Sequence, residues 1–267
     1  MHKLKLETDY LTWSQFFLEN RETEDSLPFS DTNKLTEEER ALITPSIQQF
    51  ELGENSEGNT FLNAGKRYAY DNHDYDYVSA LTLFIAEENR HSSYLRRFMQ
   101  KQDIPIVRKH WVDSSFRKIR KLQGLETCVA VLVTAEIIAK SYYRALRDCT
   151  DSPLLKAICS QILRDEVKHI WFQASILRKL RSKQSSLRIR FTEALQHILM
   201  LGTCFLVWRQ FETVFRKGGI SFSSLFKRSF AELRALNNLA RVPLSDKSSE
   251  ELTTNFNRAP SHQEVSV

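Results

Sequence analysis

Residues 153–180, PLLKAICSQILRDEVKHIWFQASILRKL, place Leu155, Cys159, Ile162, Glu166, His169, Gln173 and Ile176 at steps of three and four. That period puts all seven on one face of a helix. Ser152 precedes it as a helix cap and Pro153 fits the first helical position. The stripe is apolar except where Glu166 and His169 interrupt it, and their i, i+3 spacing stacks a carboxylate and an imidazole one turn apart. A charge on the buried side of a helix needs a partner, because burying it unpaired is costly.

The same device occurs once more upstream. Residues 75–101 carry Leu81, Phe84, Glu88, His91, Leu95 and Phe98 on one stripe, with Glu88-Asn89-Arg90-His91 repeating the spacing of Glu166-Val167-Lys168-His169. Each unit is preceded by a helix with an inward glutamate of its own. Ile47, Phe50, Glu54, Glu57, Phe61, Ala64 and Tyr68 predict a helix from Ser46 to about Asp71, and Leu125, Val129, Leu132, Glu136, Ala139 and Tyr143 predict another over 125–148. Glu57 lies 31 residues before Glu88, and Glu136 lies 30 before Glu166. Each interval is one helix up, a turn and one helix back, so each pair can meet at one level. Glu136 stands between Val131-Leu132-Val133-Thr134-Ala135 and Ile137-Ile138-Ala139, where a charge is rarely a bystander. Glu54, one turn before Glu57, competes with it for the first-helix position, and the matching interval favours Glu57.

The six candidate metal ligands are therefore Glu57, Glu88, His91, Glu136, Glu166 and His169. Four carboxylates and two imidazoles suit iron or manganese better than a soft metal, and four carboxylates balance two divalent cations. Glu87 and Asp165 immediately precede the motif glutamates and point about 100° away around the helix. They are read as solvated groups or as supports that orient the histidines. Tyr143 and Glu54 are candidate supporting groups as well, while core packing is the expectation for Trp171 and His197.

The rest of the chain is helical in composition. Seven glycines and six prolines in 267 residues, with abundant Leu, Ala, Glu, Lys and Arg, favour an all-α fold over a turn-rich sheet. A short helix is expected near 8–19, followed by a loop that Pro28 and Pro45 punctuate. A long connection containing Trp111 and Phe116 is expected over 105–124, and further helices over about 188–216, ending at Gly218-Gly219, and 223–240. The net charge of +5 comes from local clusters such as 178–183 and 188–190, with no zinc-finger or RNA-recognition motif, so nucleic acid is not an expected partner. Four dispersed cysteines and a polar N-terminus predict a reduced, cytoplasmic protein. The most apolar run, 198–208, is too short for the roughly 20 residues that span a bilayer. It reads as a buried or interfacial helix, and no transmembrane segment is expected.

The order Glu, ExxH, Glu, ExxH over about residues 46–180 resembles the ferritin-like diiron carboxylate superfamily. The stretches Gly53-Glu54-Asn55-Ser56-Glu57-Gly58 and Ala135-Glu136-Ile137-Ile138-Ala139-Lys140-Ser141-Tyr142-Tyr143 resemble a group of bacterial ferritin-like proteins within it. The resemblance implies a ferritin-like four-helix bundle with additional N- and C-terminal helices. Its domain plan is 1–45 as an N-terminal helix and loop, 46–241 as the bundle with C-terminal helices, and 242–267 as a disordered tail. It also implies two iron ions, Fe/Fe with Mn/Fe as the alternative, and an O2-activating oxidase or oxygenase acting on a small apolar or amphipathic substrate. An electron-donor protein and a homodimer are compatible partners. The alternatives are a ferroxidase or iron-sequestering protein and a metal-dependent ligand-binding protein without redox turnover. Paired cysteines of the rubredoxin type are absent, which disfavours a rubrerythrin. Ile162 stands where N-oxygenases of this type carry an additional histidine, which disfavours N-oxygenation.

Overall fold

The computed structural model describes residues 9–21, 27–55, 58–107 and 124–242, and among these the regular structure is all α-helical. The helices are α1 (Tyr10–Asn20), α2 (Glu37–Glu54), α3 (Gly58–Asn72), α4 (Tyr75–Lys101), α5 (Leu125–Cys149), α6 (Pro153–Arg181), α7 (Ser186–Lys217) and α8 (Phe222–Arg241). The connection around Trp111 and Phe116 and the expected tail from 243 onward lie outside the described residues.

α6 is the central element. At 29 residues it is about 43 Å long, and it packs on α5, α4 and α8. Ser152 caps it, its side chain accepting from the Leu155 N–H. Arg178, Lys179 and Arg181 close its last turn, where positive charge complements the helix dipole. α5 packs on α6, α7, α8 and α3, which explains why its side chains are buried almost all round from Val131 to Leu146. α1 lies on α4, and its Trp13 and Phe17 join Phe84 and Phe172 in one aromatic cluster. Each such ring taken from water contributes about 1.5–3 kcal/mol.

The helix expected to run unbroken from Ser46 to Asp71 is two helices. α2 begins nine residues earlier, because Thr36 caps it by accepting from the Glu39 N–H and Glu37, Glu38 and Glu39 fill its first turn. Pro45 sits inside α2 at the loss of one intrahelical bond, and the burial of Ile43 and Ile47 on either side holds the helix together through it. α2 then ends at Glu54 with Asn55 as its cap, in a stretch whose two glycines, Gly53 and Gly58, favour helix poorly. The other helix boundaries fall within two residues of expectation. At the end of α7, a Cβ on Gly218 would run into the carbonyl of Ala145, so only glycine lets this turn seat on α5.

Candidate metal centre

α4 and α6 face each other so that their ExxH units converge. One ligand atom from each of Glu88, His91, Glu166 and His169 lies within 4.8 Å of the other three, and all four residues are buried. The two imidazoles lie with ring centroids 5.4 Å apart and their planes inclined by 30°. His169 is fixed from its far side by Phe84, whose ring stands edge-on at 4.7 Å, and by Phe17 at 6.2 Å.

The histidines are oriented crosswise between the two helices. His91 Nε2 donates to Asp165 at 3.0 Å, and His169 Nε2 donates to Glu87 at 2.9 Å. The acidic residue just before each motif glutamate therefore holds the histidine of the opposite motif. Glu87 and Asp165 are buried rather than solvated, which settles the choice left open by their position on the helix. Each has further support: Gln161 Nε2 donates to both oxygens of Asp165 at 3.0 Å, and Arg90 pairs with Glu87 at 2.8 Å. Asn20, the last residue of α1, joins them, its amide donating to Glu87 and, at 2.9 Å, to Asp165. Nothing in the sequence singled out Asn20, since it carries no motif and lies 67 residues from Glu87.

With the Nε2 atoms occupied, both Nδ1 atoms face inward. His91 Nδ1, His169 Nδ1, Glu88 Oε1 and Glu166 Oε2 are buried without a hydrogen-bond partner. His169 Nδ1 approaches Glu88 Oε1 to 2.6 Å and Glu166 Oε2 to 3.7 Å without hydrogen-bond geometry to either. Four buried polar atoms aimed at one point, each costly to leave unsatisfied, fit a cation better than they fit one another.

The remaining candidates flank this group. Glu54, at the end of α2, is buried, with Oε2 3.6 Å from His91 Nδ1 and Oε1 accepting from the Tyr143 hydroxyl. Glu57 lies outside the described residues. Glu136 is buried on α5, and its Oε1 accepts from the amide of Gln173, one turn past His169 on α6. Its position in the sequence pattern marked Glu136, whereas Gln173 read only as one more residue in phase. Trp171 is buried, and His197 Nδ1 donates to the Glu193 carbonyl of its own helix at 2.7 Å.

Burial pushes the Glu88 carboxyl up to about 8, with the charges of Glu54 and Glu166 adding to it against the pull of His169. Burial also raises Glu166, more than His169 lowers it. Burial alone would lower both histidines, but Asp165 and Glu54 around His91, and Glu88, Glu166 and Glu87 around His169, drive both well above the ordinary imidazole value. For Glu54 and Asp165 the cost of burial is outweighed by the neighbouring His91, and both titrate below the ordinary range. The cluster thus holds protons where a dication would supply the same positive charge.

No family model and no characterised protein matches this chain. The buried Glu88, His91, Glu166 and His169 form a group able to bind a metal ion. Surface cavities of about 300 and 500 Å³ are lined by residues of α6, α7 and α8 and by residues around α2 and Pro153.

Proposed function

We propose that this chain is a ferritin-like diiron carboxylate protein whose buried cluster activates O2. The observation that carries the reading is the convergence of four unpartnered ligand atoms from two ExxH units, backed by two crosswise carboxylate–histidine pairs. Glu88, His91, Glu166 and His169 would hold the metals at the centre, with Glu54 on the His91 side and Glu136 from α5. Two ferrous ions bound there would supply the electrons that reduce O2. Asp165 and Glu87 fix the rings with both Nδ1 atoms inward and raise their basicity. Phe17, Phe84 and Phe172 keep water from His169. The Tyr143 hydroxyl donates to Glu54, and can hold or return a proton at that carboxylate.

Oxidation of a small organic substrate is the first reading, in keeping with the ligand set. The burial of all four ligand residues favours one other, in which iron itself is oxidised and sequestered. Elemental analysis of the purified chain, followed by anaerobic Fe(II) loading and exposure to O2, tests both. About two metals per chain and a ferric absorption that Glu166→Ala abolishes are expected; less than half a metal per chain with no spectral change would overturn the assignment. Loading well beyond two irons per chain would select sequestration.

A further inference from the structure

Among the described residues one large apolar surface is left exposed, on the face of α7 opposite the core. Leu187, Phe191, Leu195, Ile198, Leu201 and Phe205 all point outward, with Leu187 80%, Ile198 66% and Phe191 64% exposed. Their spacing of three, four and seven residues makes a straight stripe about 27 Å long. The opposite face of α7 is packed on α5, α2 and α8 through Met200, Cys204, Val207 and Phe215. Among the described residues α7 is the one helix long and apolar enough to cross a membrane, yet only its outer side is available to lipid, and its inner side buries Glu193, Gln196 and Thr203. Such a helix can lie in an interface but cannot be surrounded by hydrocarbon.

Charge decides what covers it. Residues 186–242 contain nine arginines and lysines against three glutamates, a net +6 where the whole chain carries +5. Glu193 and Glu232 are buried in ion pairs with Arg181, Arg241 and Lys140, and Glu212 is paired with Arg216. The stripe is thus bracketed by exposed cations, with Arg188 and Arg190 at one end and Arg209 and Lys217 at the other. Beside its N-terminal end a cavity of about 300 Å³ is lined by Arg178, Arg181, Arg190, Arg241, Ser182 and Ser186, at the start of α7 where the helix dipole is positive. Arg181 and Arg241 pair with Glu193, Arg181 pairs with Glu126 as well, and Arg178 donates to the Val242 carbonyl. A second copy of this chain would set cation against cation on the flanks of the stripe in either orientation.

We propose that α7 docks this protein on an anionic phospholipid bilayer, its apolar stripe sunk among the acyl chains and its basic ends on the headgroups. The binding is peripheral and independent of the metal cluster, so it stands or falls apart from the proposed function. Flotation of the full chain tests it, with vesicles of phosphatidylcholine alone and of phosphatidylcholine with about a third phosphatidylglycerol. Binding to the anionic vesicles is expected to exceed that to the neutral ones by about tenfold and to weaken on raising the salt from about 0.1 to 1 M. Both Ile198→Glu/Phe205→Glu and Arg188→Glu/Arg190→Glu should lose it by about tenfold or more while keeping the helical circular dichroism and thermal transition of the parent, since all four side chains are exposed. No flotation by the monodisperse parent, or flotation that neither variant alters, would overturn the proposal. So would a dimer in sedimentation velocity that Ile198→Glu/Phe205→Glu dissociates, which would give the face to a second copy.

Discussion

Asp165 of α6 accepts a hydrogen bond from the His91 ring of α4 at 3.0 Å, so the residue before one motif glutamate governs the histidine of the other motif. Glu87 does the same for His169. Asp165→Asn keeps the size of the side chain but loses the charge that holds His91 with Nδ1 inward. Metal affinity should fall about 10–100-fold, as measured by competition with a chromogenic chelator. An unchanged affinity would mean that the pair is structural and that the ring is positioned by its packing alone.

Asn20 should act on the same pair from outside the two motif helices. Its amide reaches Glu87 and Asp165 together, so Asn20→Leu leaves two buried carboxylates each short of a donor. A stability loss of about 1–3 kcal/mol in urea unfolding is expected, with a severalfold loss in metal affinity. Asn20→Asp should be worse than Asn20→Leu, because it adds a third negative charge among acceptors. If Asn20→Leu and the parent unfold and bind metal alike, α1 is packing and nothing more.

Much of the site was legible because its chemistry conflicts with its surroundings. Glu88, His91, Glu136, Glu166 and His169 each break an apolar stripe, and all five are buried. The break between α2 and α3 was harder to see, because Ile47, Phe50, Phe61 and Ala64 keep helical phase across it, while Pro45 drew attention from the cap at Thr36. Which side of a helix lies against a second layer is also hidden from local periodicity. The stripe of α7 reads as apolar from sequence, but only tertiary packing shows that Met200 and Cys204 face the core while Ile198 and Phe205 do not. Partners distant in sequence, such as Asn20 and Gln173, carry no signal in a single chain.

The first-helix ligand can be decided directly. Glu54 lies against His91 and the Tyr143 hydroxyl, whereas the interval argument favoured Glu57. Glu54→Ala is expected to reduce bound iron from about two ions per chain toward one, and Glu57→Ala to leave it near two. The reverse pattern, read by elemental analysis after Fe(II) loading, would return the role to Glu57 and make Glu54 a proton-holding neighbour of Tyr143.

Metal binding should be coupled to proton release. Burial raises the Glu88 carboxyl to about 8, so below that pH the metal-free cluster carries a proton there, and His91 and His169 are protonated as well by their carboxylate neighbours. A cation must displace these protons, so affinity should rise with pH, by about tenfold per unit for each proton displaced. The slope should lessen above about pH 8 as Glu88 ionises by itself. Calorimetry in two buffers of different ionisation heat reads the number released; no buffer dependence at pH 7 would show that the cluster is already deprotonated.

A buried ion pair lies beside the cluster. Lys140, one turn past Glu136 on α5, pairs with Glu232 of α8 at 2.5 Å, and both are buried. Burial lowers the lysine against the pull of Glu232, and the positive charge of Arg144 lowers it further. Lys140→Met alone strands the Glu232 carboxylate, and a loss of about 3–5 kcal/mol is expected. Lys140→Met/Glu232→Leu removes both charges and should recover most of that loss, since an apolar pair of similar volume is often as stable as the ions it replaces. Lys140 also lies near enough to Glu166 to act on its charge, so the single variant should differ from the parent in metal affinity in a direction fixed by sign. Losing the cation alone favours a bound metal, so the single variant should bind Fe(II) at least as tightly as the parent wherever it remains folded, and the double variant, with no net change of charge, about as tightly. Weaker binding by the well-folded double variant would show instead that Lys140 positions Glu166, making the α5–α8 pair part of the metal centre rather than a tether beside it.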